Sequence, residues 1–333
     1  MADRMSQISQ FLRQTVAADY IGITPLSGDA SFRRYWRINS QSQQWVLMDA
    51  PPVAADIQRF ISTAQAFAQA GLRVPAVLAC QPQQGLLLLE DLGDALLQGH
   101  LNEHNVLEQY RHAIGLIPAI QHISVTDSGP LPVFDDEFIR RELTIFTEWC
   151  WQTHLQQPLT DDIAALLDTT FNQISSVVRS QPQAGMHRDF HSRNLMLLPD
   201  QQLAVIDFQD AVVGPLTYDL VSLLRDCYLR WPDPLVEQLV AETYAAWQTQ
   251  GYMPAAVTLA EFKRWFDWTG LQRHIKVLGI FCRLYHRDQK AGYLADLPRV
   301  AGYVADVSAL YPELTGFHRW FISTVLPALV TSA

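Results

Sequence analysis

Three side chains that carry oxygen atoms follow one another in the middle of the chain. Asp189 lies in a polar segment, Asn194 directly precedes an apolar run at residues 195–198, and Asp207 follows a second apolar run at residues 203–206. The two runs flank Pro-Asp-Gln-Gln, which has the composition of a turn, so they predict a β-hairpin. Because a hairpin returns the chain to its starting end, we expect Asn194 and Asp207 to lie together, close to Asp189.

Side-chain oxygens grouped in this way suit Mg²⁺, which prefers oxygen ligands and usually shares them with substrate phosphates. The order His-Arg-Asp at residues 187–189, then Asn194, then Asp-Phe at residues 207–208 matches the catalytic loop and metal-binding aspartate of kinases. In that scheme Asp189 accepts the proton of the attacking hydroxyl, while Asn194 and Asp207 hold the metal. A single aspartate before an apolar run is usually a turn or cap residue, but three groups in this order favour chemistry.

A second chemical interpretation uses the alternation of His187, Asp189 and His191. These residues could bind Zn²⁺ or iron in a hydrolase, because imidazole suits both metals. That interpretation leaves Asn194 and Asp207 without a role. It also needs further histidine ligands, for which the rest of the sequence shows no recognisable spacing.

The composition is typical of a globular protein with a large core. A length of 333 residues suggests about two domains, and 49% of the residues are hydrophobic while 17% are charged. The formal net charge of −10 disfavours binding to nucleic acid or to an anionic membrane. An ATP site would therefore need local positive charge.

Cysteine usage and the N-terminal residues indicate the compartment. The four cysteines are far apart in the sequence and are typical of free thiols in a reducing environment. The N-terminus lacks the apolar core of a signal peptide, and no apolar run approaches the roughly 18 residues that cross a bilayer. We therefore expect a soluble cytoplasmic protein. The sequence leaves its oligomeric state open, and a monomer is compatible with it.

The periodicity of apolar residues predicts an α+β fold in two parts. Residues 1–92 combine a helix at 4–17, five strands and a helix at 55–70, after which Gly71 has the position of a C-cap. Beyond residue 93 we expect long helices around the hairpin, at 103–122, 135–154, 159–180, 218–230, 234–250, 260–290 with an internal break, and 305–331. The resulting prediction is a small antiparallel β-rich lobe, a large mainly helical lobe at 93–333, and a cleft that the hairpin faces.

The turn at residues 27–31 stands where a kinase carries its glycine-rich phosphate loop, although this turn contains a single glycine. Its backbone N–H groups can still bind an anion. The candidates in this turn are Ser27, Gly28, Ala30 and Ser31. Arg33 and Arg34 follow on opposite faces of the next strand, where each could reach a phosphate or simply form a solvated strand edge.

The lysine that binds the phosphates in kinases is missing from this sequence. Met48 occupies its place, and the helix at 55–70 has no glutamate that could pair with such a lysine. Another cation must therefore hold the phosphates, and the candidates are Arg33, Arg34 and His191, in that order. The strand end at residues 89–92 can supply an apolar slot and backbone groups for adenine, and Glu90 and Leu92 are the candidates there.

The sequence resembles the aminoglycoside phosphotransferase and choline kinase-type superfamily, which has a protein-kinase-like, two-lobed fold. More narrowly, it is similar to the bacterial kinases that phosphorylate N-acetylmuramate and N-acetylglucosamine at the anomeric carbon. The similarity lies in Ser-Gly-Asp-Ala-Ser-Phe-Arg-Arg-Tyr at residues 27–35, Met-Asp-Ala-Pro-Pro at residues 48–52, and the segments 187–196 and 206–224. The narrower family also lacks lysine at the Met48 position, so its absence does not imply a dead enzyme.

The resemblance implies roles for several residues. It makes Asp189 the catalytic base and Asn194 with Asp207 the Mg²⁺ ligands, in agreement with the reasoning from the residues, and it gives Asp219 the role of anchoring the catalytic loop. The implied substrates are ATP and an N-acetyl amino sugar, and the implied pathway is peptidoglycan recycling. His191 is a further catalytic candidate. Candidates for contacts with the acceptor are Arg193 and Asp210, and a carboxylate on the acceptor adds Arg140, Arg141 and Arg273.

Three other functions stay open at this point. The same fold could phosphorylate another alcohol, such as choline, an aminoglycoside or a different sugar. The missing lysine could instead indicate a pseudokinase that binds nucleotide without catalysis. The metal hydrolase built on His187, Asp189 and His191 is the third.

Overall fold

The computed structural model describes residues 2–15, 19–26, 33–50 and 54–332. The phosphate-binding candidates Ser27, Gly28, Ala30 and Ser31 lie outside the described residues. Contacts between Cα atoms divide the chain into two compact units. Unit 1 comprises residues 1–100, 125–130 and 193–211, and unit 2 comprises residues 101–124, 131–192 and 212–333. The hairpin therefore groups with the N-terminal unit, whereas the sequence-based division at residues 92 and 93 assigned it to the helical part.

The described chain contains helices and strands with the following bounds. The helices are α1 (Ala2–Arg13), α2 (Ala54–Gln69), α3 (Val106–Ile114), α4 (Ile117–Gln121), α5 (Asp136–Ile145), α6 (Asp161–Ser180), α7 (Tyr218–Leu224), α8 (Asp233–Gln250), α9 (Leu259–Asp288), α10 (Leu297–Ala309), α11 (Thr315–Trp320) and α12 (Leu326–Ser332). The strands are β1 (Gly22–Leu26), β2 (Arg34–Asn39), β3 (Gln44–Asp49), β4 (Val77–Gln81), β5 (Leu86–Glu90), β6 (Val125–Thr126), β7 (Gly129–Pro130), β8 (Gln183–Met186), β9 (Leu195–Leu197), β10 (Leu203–Val205) and β11 (Val212–Pro215). Two π-helical segments, Phe146–His154 and Phe321–Val325, extend α5 and α11.

Unit 1 is built on a five-stranded antiparallel sheet in the order β1-β2-β3-β5-β4. Successive strand residues face opposite sides of a sheet. One side packs against the apolar stripe of α1, where Ile8 and Leu12 bury against Ile38 and Leu47. The five predicted strands are confirmed, and α1 and α2 confirm the two predicted helices of this region.

The apolar residues and the C-terminal glycine of helix α2 lie where the sequence predicts them. Of the residues predicted to form the apolar stripe, Ile57, Phe60, Ala64 and Phe67 are buried, as expected for residues spaced three and four apart on one face, and Ile61 is half-buried. After the helix, Gly71 adopts a φ of +87°, the left-handed conformation that glycine accepts without steric cost. The predicted C-cap position is therefore confirmed.

Unit 2 is organised around the 30-residue helix α9. The break predicted within residues 260–290 is wrong, because α9 is continuous. The glycines of α9 allow neighbouring parts of the protein to pack closely against it. A Cβ atom at Gly279 would lie 2.5 Å from the backbone of Ile145, so only glycine lets α9 approach the end of α5 this closely. The side chain of Thr258 caps the helix by accepting from the Glu261 N–H.

Other predicted helices in unit 2 differ in their limits. The helix predicted at 103–122 divides into α3 and α4, because Pro118 lacks the N–H that would continue a helix and instead begins a new one. The helix predicted at 305–331 is interrupted near Pro312 for the same reason. The helix predicted at 218–230 is shorter and ends at Leu224. Among the described residues, no helix combines the length and the apolar character that a membrane span requires.

Candidate functional site

The hairpin in unit 1 brings Asn194 and Asp207 together, as the sequence predicted. Strand β9 pairs with β10 in antiparallel register, with Leu195 opposite Val205. The Ile206 N–H donates to the Asn194 carbonyl at 3.0 Å, and the Asn194 Nδ2 atom lies 3.5 Å from the Asp207 Oδ2 atom. The expectation that Asp189 lies close to this pair stays a prediction, as does the cleft.

Asp207 is held in an unusual backbone conformation. Its φ is +64°, which a residue with a Cβ atom rarely adopts and which is often found at functional sites. The next residue, Phe208, is fully buried against Phe60 and Phe67 of α2, with ring centroids 5.1 and 5.5 Å away. This aromatic packing fixes the backbone at residue 208, so the exposed Asp207 carboxylate is presented at a defined place.

The chemistry of this pair fits Mg²⁺. Mg²⁺ is usually bound by one or two carboxylates together with substrate phosphates and water, rather than by a complete protein cage. Asp207 offers a carboxylate and the Asn194 amide offers an oxygen, while the Gln209 Nε2–H donates to Asp207 Oδ1 at 2.8 Å. Within the described ranges, no group of three or more His, Cys, Asp or Glu side chains could hold a metal ion. The zinc or iron interpretation of His187, Asp189 and His191 therefore has no support in the geometry.

The catalytic loop in unit 2 is anchored through its backbone. The N–H groups of His187 and Arg188 donate to the two carboxylate oxygens of Asp219, at 2.7 and 3.0 Å. This confirms the anchoring role that the resemblance implied for Asp219. Arg188 has a φ of +77°, and its guanidinium donates to the buried Glu142 at 2.6 Å. The two residues that precede Asp189 are therefore held by Asp219 and by Glu142.

Asp189 itself stands at the edge of a buried positive cluster. Its side chain is 43% exposed, and its Oδ1 atom lies 3.9 Å from Nη2 of Arg273. Desolvation raises the pKa of Asp189, but the nearby groups Lys276, His191, Arg188 and Arg273 outweigh this effect and hold the pKa well below its usual range. The carboxylate is therefore ionised at neutral pH and can accept a proton.

His191 is buried on the same loop. Its backbone N–H donates to the Asp189 carbonyl at 3.0 Å, and its ring meets Tyr228 edge to face at 5.3 Å. Burial lowers the pKa of His191 and thereby favours the neutral ring, whereas the charges of Asp226 and Asp189 oppose this effect. Its Nδ1 atom has no hydrogen-bond partner among the described residues, which makes it suited to bind a ligand. At the end of this loop, Ser192 donates to the buried Asp226 from both its N–H and its hydroxyl.

The two faces of β2 distinguish the arginine candidates. Arg34 lies opposite Asp49 in the register, on the side that α1 covers, and its Nη2 atom is 2.7 Å from Asp49 Oδ2. Arg4 of α1 binds the same carboxylate. Tyr35 and Met48 are also register partners and face the other side. The charges of Arg33 and Asp207 both act on the pKa of Tyr35, whereas Arg34 is engaged by Asp49, so Arg33 stays the first candidate for the cation that binds phosphate.

The remaining nucleotide candidates lie where β5 ends. Glu90 forms an ion pair with Arg73, and its backbone N–H donates to the Ala76 carbonyl at 2.9 Å. Leu92 packs beside Ile206 against the hairpin cluster. Because the Glu90 N–H is already bound to Ala76, Leu92 is the better candidate for contact with a nucleotide base, while the buried Met48 can offer only apolar contact.

The acceptor candidates have different local partners. Arg193 donates to Gln98 at 2.8 Å, and Asp210 is exposed. Arg140 is engaged with Asp168 and Asn172, and the guanidinium of Arg141 stacks on Phe138. The sequence reasoning missed Glu142 and Lys276, and it did not connect Arg273 with Asp189. The available signal was a run of polar residues, Gln272, Arg273, His274 and Lys276, within a helix whose neighbours are apolar.

The anchored loop with its ionised aspartate and the oxygen pair on the hairpin are the parts of a kinase-like phosphotransferase. The chain belongs to the phosphotransferase enzyme family, whose family model matches residues 22–260. The predicted α+β, kinase-like fold is also confirmed by solved structures. An ADP-bound aminoglycoside phosphotransferase, APH(2'')-Ib, superposes with a TM-score of 0.61 at 14% identity, over 90% of this chain and 98% of that one.

Curated relatives are more similar in sequence. The N-acetylmuramate/N-acetylglucosamine kinase of Pseudomonas aeruginosa is 38% identical over 292 residues, which cover 88% of this chain and 85% of the relative. The protein of the same name from Neisseria meningitidis serogroup B is 36% identical over 329 residues, or 97% of this chain and 96% of the relative. A choline kinase from Streptococcus pneumoniae shares the fold, with a TM-score of 0.63 at 12% identity over 90% of this chain and 99% of that one.

The anchoring by Asp219 yields a prediction about stability. In Asp219→Asn, a single amide oxygen replaces two carboxylate oxygens, so one of the buried N–H groups of His187 and Arg188 loses its acceptor. We expect the free energy of unfolding to fall by about 1–3 kcal/mol, measured by urea denaturation, together with faster hydrogen exchange at these two amides.

The exposed turn residue Asp200, which accepts from the Gln202 N–H at 3.0 Å, provides a matched control. Asp200→Asn should change the stability by less than about 0.5 kcal/mol. Equal stability of the two variants would contradict the anchoring role.

Proposed function

We propose that this protein transfers the γ-phosphoryl group of ATP to the anomeric (C1) hydroxyl of N-acetylmuramate or N-acetylglucosamine. The observation that carries the proposal is the similarity, across nearly the whole chain, to relatives named for both sugars. The product would be a sugar 1-phosphate that enters nucleotide-sugar synthesis during peptidoglycan recycling. A cytoplasmic location, where ATP is supplied, fits this role.

Asp189 serves as the catalytic base in this proposal. An anomeric hydroxyl is more acidic than an ordinary alcohol, so the ionised carboxylate needs only to orient the hydroxyl and accept its proton late. The loop that holds Asp189 is fixed through Asp219 and Arg188, and this rigidity supports catalysis by positioning. His191 contributes a neutral ring beside the reacting groups.

Asn194 and Asp207 would hold Mg²⁺, which neutralises charge on the phosphates when it is bound. The oxygen-rich, two-ligand character of the pair supports this assignment. Arg33 replaces the missing lysine as the cation for the phosphates, and Leu92 with Ile206 supplies the apolar slot and the backbone donor for adenine.

The proposed function predicts which acceptors are phosphorylated. Purified protein with Mg²⁺-ATP should phosphorylate N-acetylmuramate, N-acetylglucosamine or both, and phosphorus NMR should show a glycosyl phosphate. The methyl glycosides of the same sugars should not react, because their C1 oxygen is blocked. Choline and an aminoglycoside serve as further acceptors in the panel.

If the methyl glycosides react as well as the free sugars, the protein is a sugar kinase but does not act on the anomeric hydroxyl. Reaction with choline or the aminoglycoside alone would overturn the sugar assignment. ATP binding without transfer to any acceptor would indicate a pseudokinase.

The second prediction separates the two neighbouring arginines. Arg33→Met should raise the KM for ATP by about tenfold or more, because a charge-assisted contact with a phosphate is lost. Arg34→Met is the matched control, since Arg34 occupies the opposite face and pairs with Asp49. The control should keep the KM for ATP within about threefold of wild type. The reverse order of effects in steady-state kinetics would show that the assignment of faces is wrong.

A further inference from the structure

Arg273 is an arginine buried beside the proposed catalytic base. Its side chain is 2% exposed, and it lies in the middle of α9. The Nη1–H group donates to Cys227 Sγ at 2.8 Å, and Nη2 lies 3.9 Å from Asp189 Oδ1. The Nε atom has no hydrogen-bond partner among the described residues. A guanidinium with five donors is thus buried with few partners.

The buried positive charge of Arg273 needs a negative partner, and Asp189 is placed to provide it. Removing a guanidinium from water is costly unless an opposite charge lies nearby. Among the described residues, Asp189 is the acidic side chain within 4.0 Å of Arg273. The other carboxylate nearby, Asp226, already accepts two hydrogen bonds from Ser192 and one from the Tyr228 N–H. Arg273 therefore depends mainly on an ionised Asp189.

Asp189 also depends on Arg273 for its orientation. Arg273 approaches Asp189 from the protein interior, while 43% of the Asp189 side chain stays exposed to an acceptor. The second arm of the guanidinium, held by Cys227, fixes the direction from which the first arm acts. The near-complete burial of Arg273 argues against direct contact with a carboxylate on the substrate, which was one of the roles considered from the sequence.

We propose that Arg273 is a positioning residue that orients the Asp189 carboxylate, with Cys227 fixing the guanidinium. This inference rests on the proposed function of Asp189 as the base. Other groups also affect the charge of Asp189. Lys276, His191 and Arg188 lower its pKa, and Asp219 interacts with it as a like charge. Lys276 and Arg188 are shared with the buried Glu142, whereas Arg273 forms no ion pair with Glu142 among the described contacts.

The test compares Arg273→Gln with a matched variant in the same helix. Arg264 is also ion-paired, with Glu313 at 2.7 Å, and its guanidinium stacks on Trp268. For Arg273→Gln we expect kcat to fall by about tenfold or more through misplacement of the base. The acid limb of the pH profile of kcat should move to higher pH by about one unit, because an opposite charge within 4–6 Å lowers a carboxyl pKa by roughly 1–3 units. The KM for ATP should stay within about threefold, and Arg264→Gln should behave as wild type.

Two conservative variants keep the test decisive if Arg273→Gln does not fold. Arg273→Lys retains the charge but loses the forked geometry, and Cys227→Ala retains the guanidinium but removes its second contact. Both should keep the acid limb of wild type and lower kcat. A wild-type kcat in both variants, or equal losses in Arg273→Gln and Arg264→Gln, would overturn the proposal in favour of a structural arginine.

Asp189→Asn separates this inference from the proposed function. If Asp189→Asn keeps wild-type turnover, Asp189 is not the base and both proposals fail. If Asp189→Asn is inactive while Arg273→Gln has the kcat and the pH profile of wild type, only the role of Arg273 is wrong.

Discussion

The antiparallel register of one short hairpin is the constraint on which the candidate metal site depends. The pairing of Leu195 with Val205 brings residues 194 and 207 to the same end. A shift of one residue would turn each side chain of a strand to the opposite face. Leu195, Leu203, Ala204 and Val205 are all buried, so both faces of the hairpin are packed, and a shifted register would place side chains of a different size in each packed face. Core packing therefore determines where the side chains of Asn194 and Asp207 meet.

The surroundings of the hairpin reinforce this arrangement. The Val205 N–H donates to the Arg73 carbonyl and the Leu197 N–H to the Ala95 carbonyl, each at 2.8 Å. Phe208 then inserts between two aromatic rings of α2. In kinases a glutamate on the corresponding helix pairs with the strand lysine. This chain has neither that glutamate nor that lysine. Helix α2 instead packs its aromatic side chains against Phe208, next to Asp207, and so helps to position Asp207.

Unit 2 meets a different requirement, which is to keep several charges buried without leaving them unpaired. Glu142 accepts from Arg188 and from Gln272, and Lys276 lies 3.6 Å from it. Removing one partner from such a group leaves an uncompensated charge. The cluster thereby couples the shape of the catalytic loop to α5 and α9, the helices that carry the partners.

Local patterns in the sequence were sufficient for part of this account. The hairpin, the stripe of α2 and the cap at Gly71 are determined by neighbouring residues, and all three were predictable. The continuity of α9 was not predictable, because Gly279 permits a close contact with Ile145, which is distant in sequence. The contrast between Arg33 and Arg34 also needed the structure, since only the position of α1 shows which face of β2 is covered. The same holds for the pair of Arg273 and Asp189, which belong to different elements.

The central claim is that Asn194 and Asp207 hold the metal that accompanies ATP. Electron paramagnetic resonance of Mn²⁺, used in place of Mg²⁺ and titrated with a non-hydrolysable ATP analogue, measures this binding without requiring turnover. The account predicts that Asp207→Ala and Asn194→Ala each weaken Mn²⁺ binding by about tenfold or more, the range seen even for outer partners of metal ligands, while the exposed Asp200→Ala binds as wild type. Wild-type Mn²⁺ affinity in both hairpin variants would contradict it.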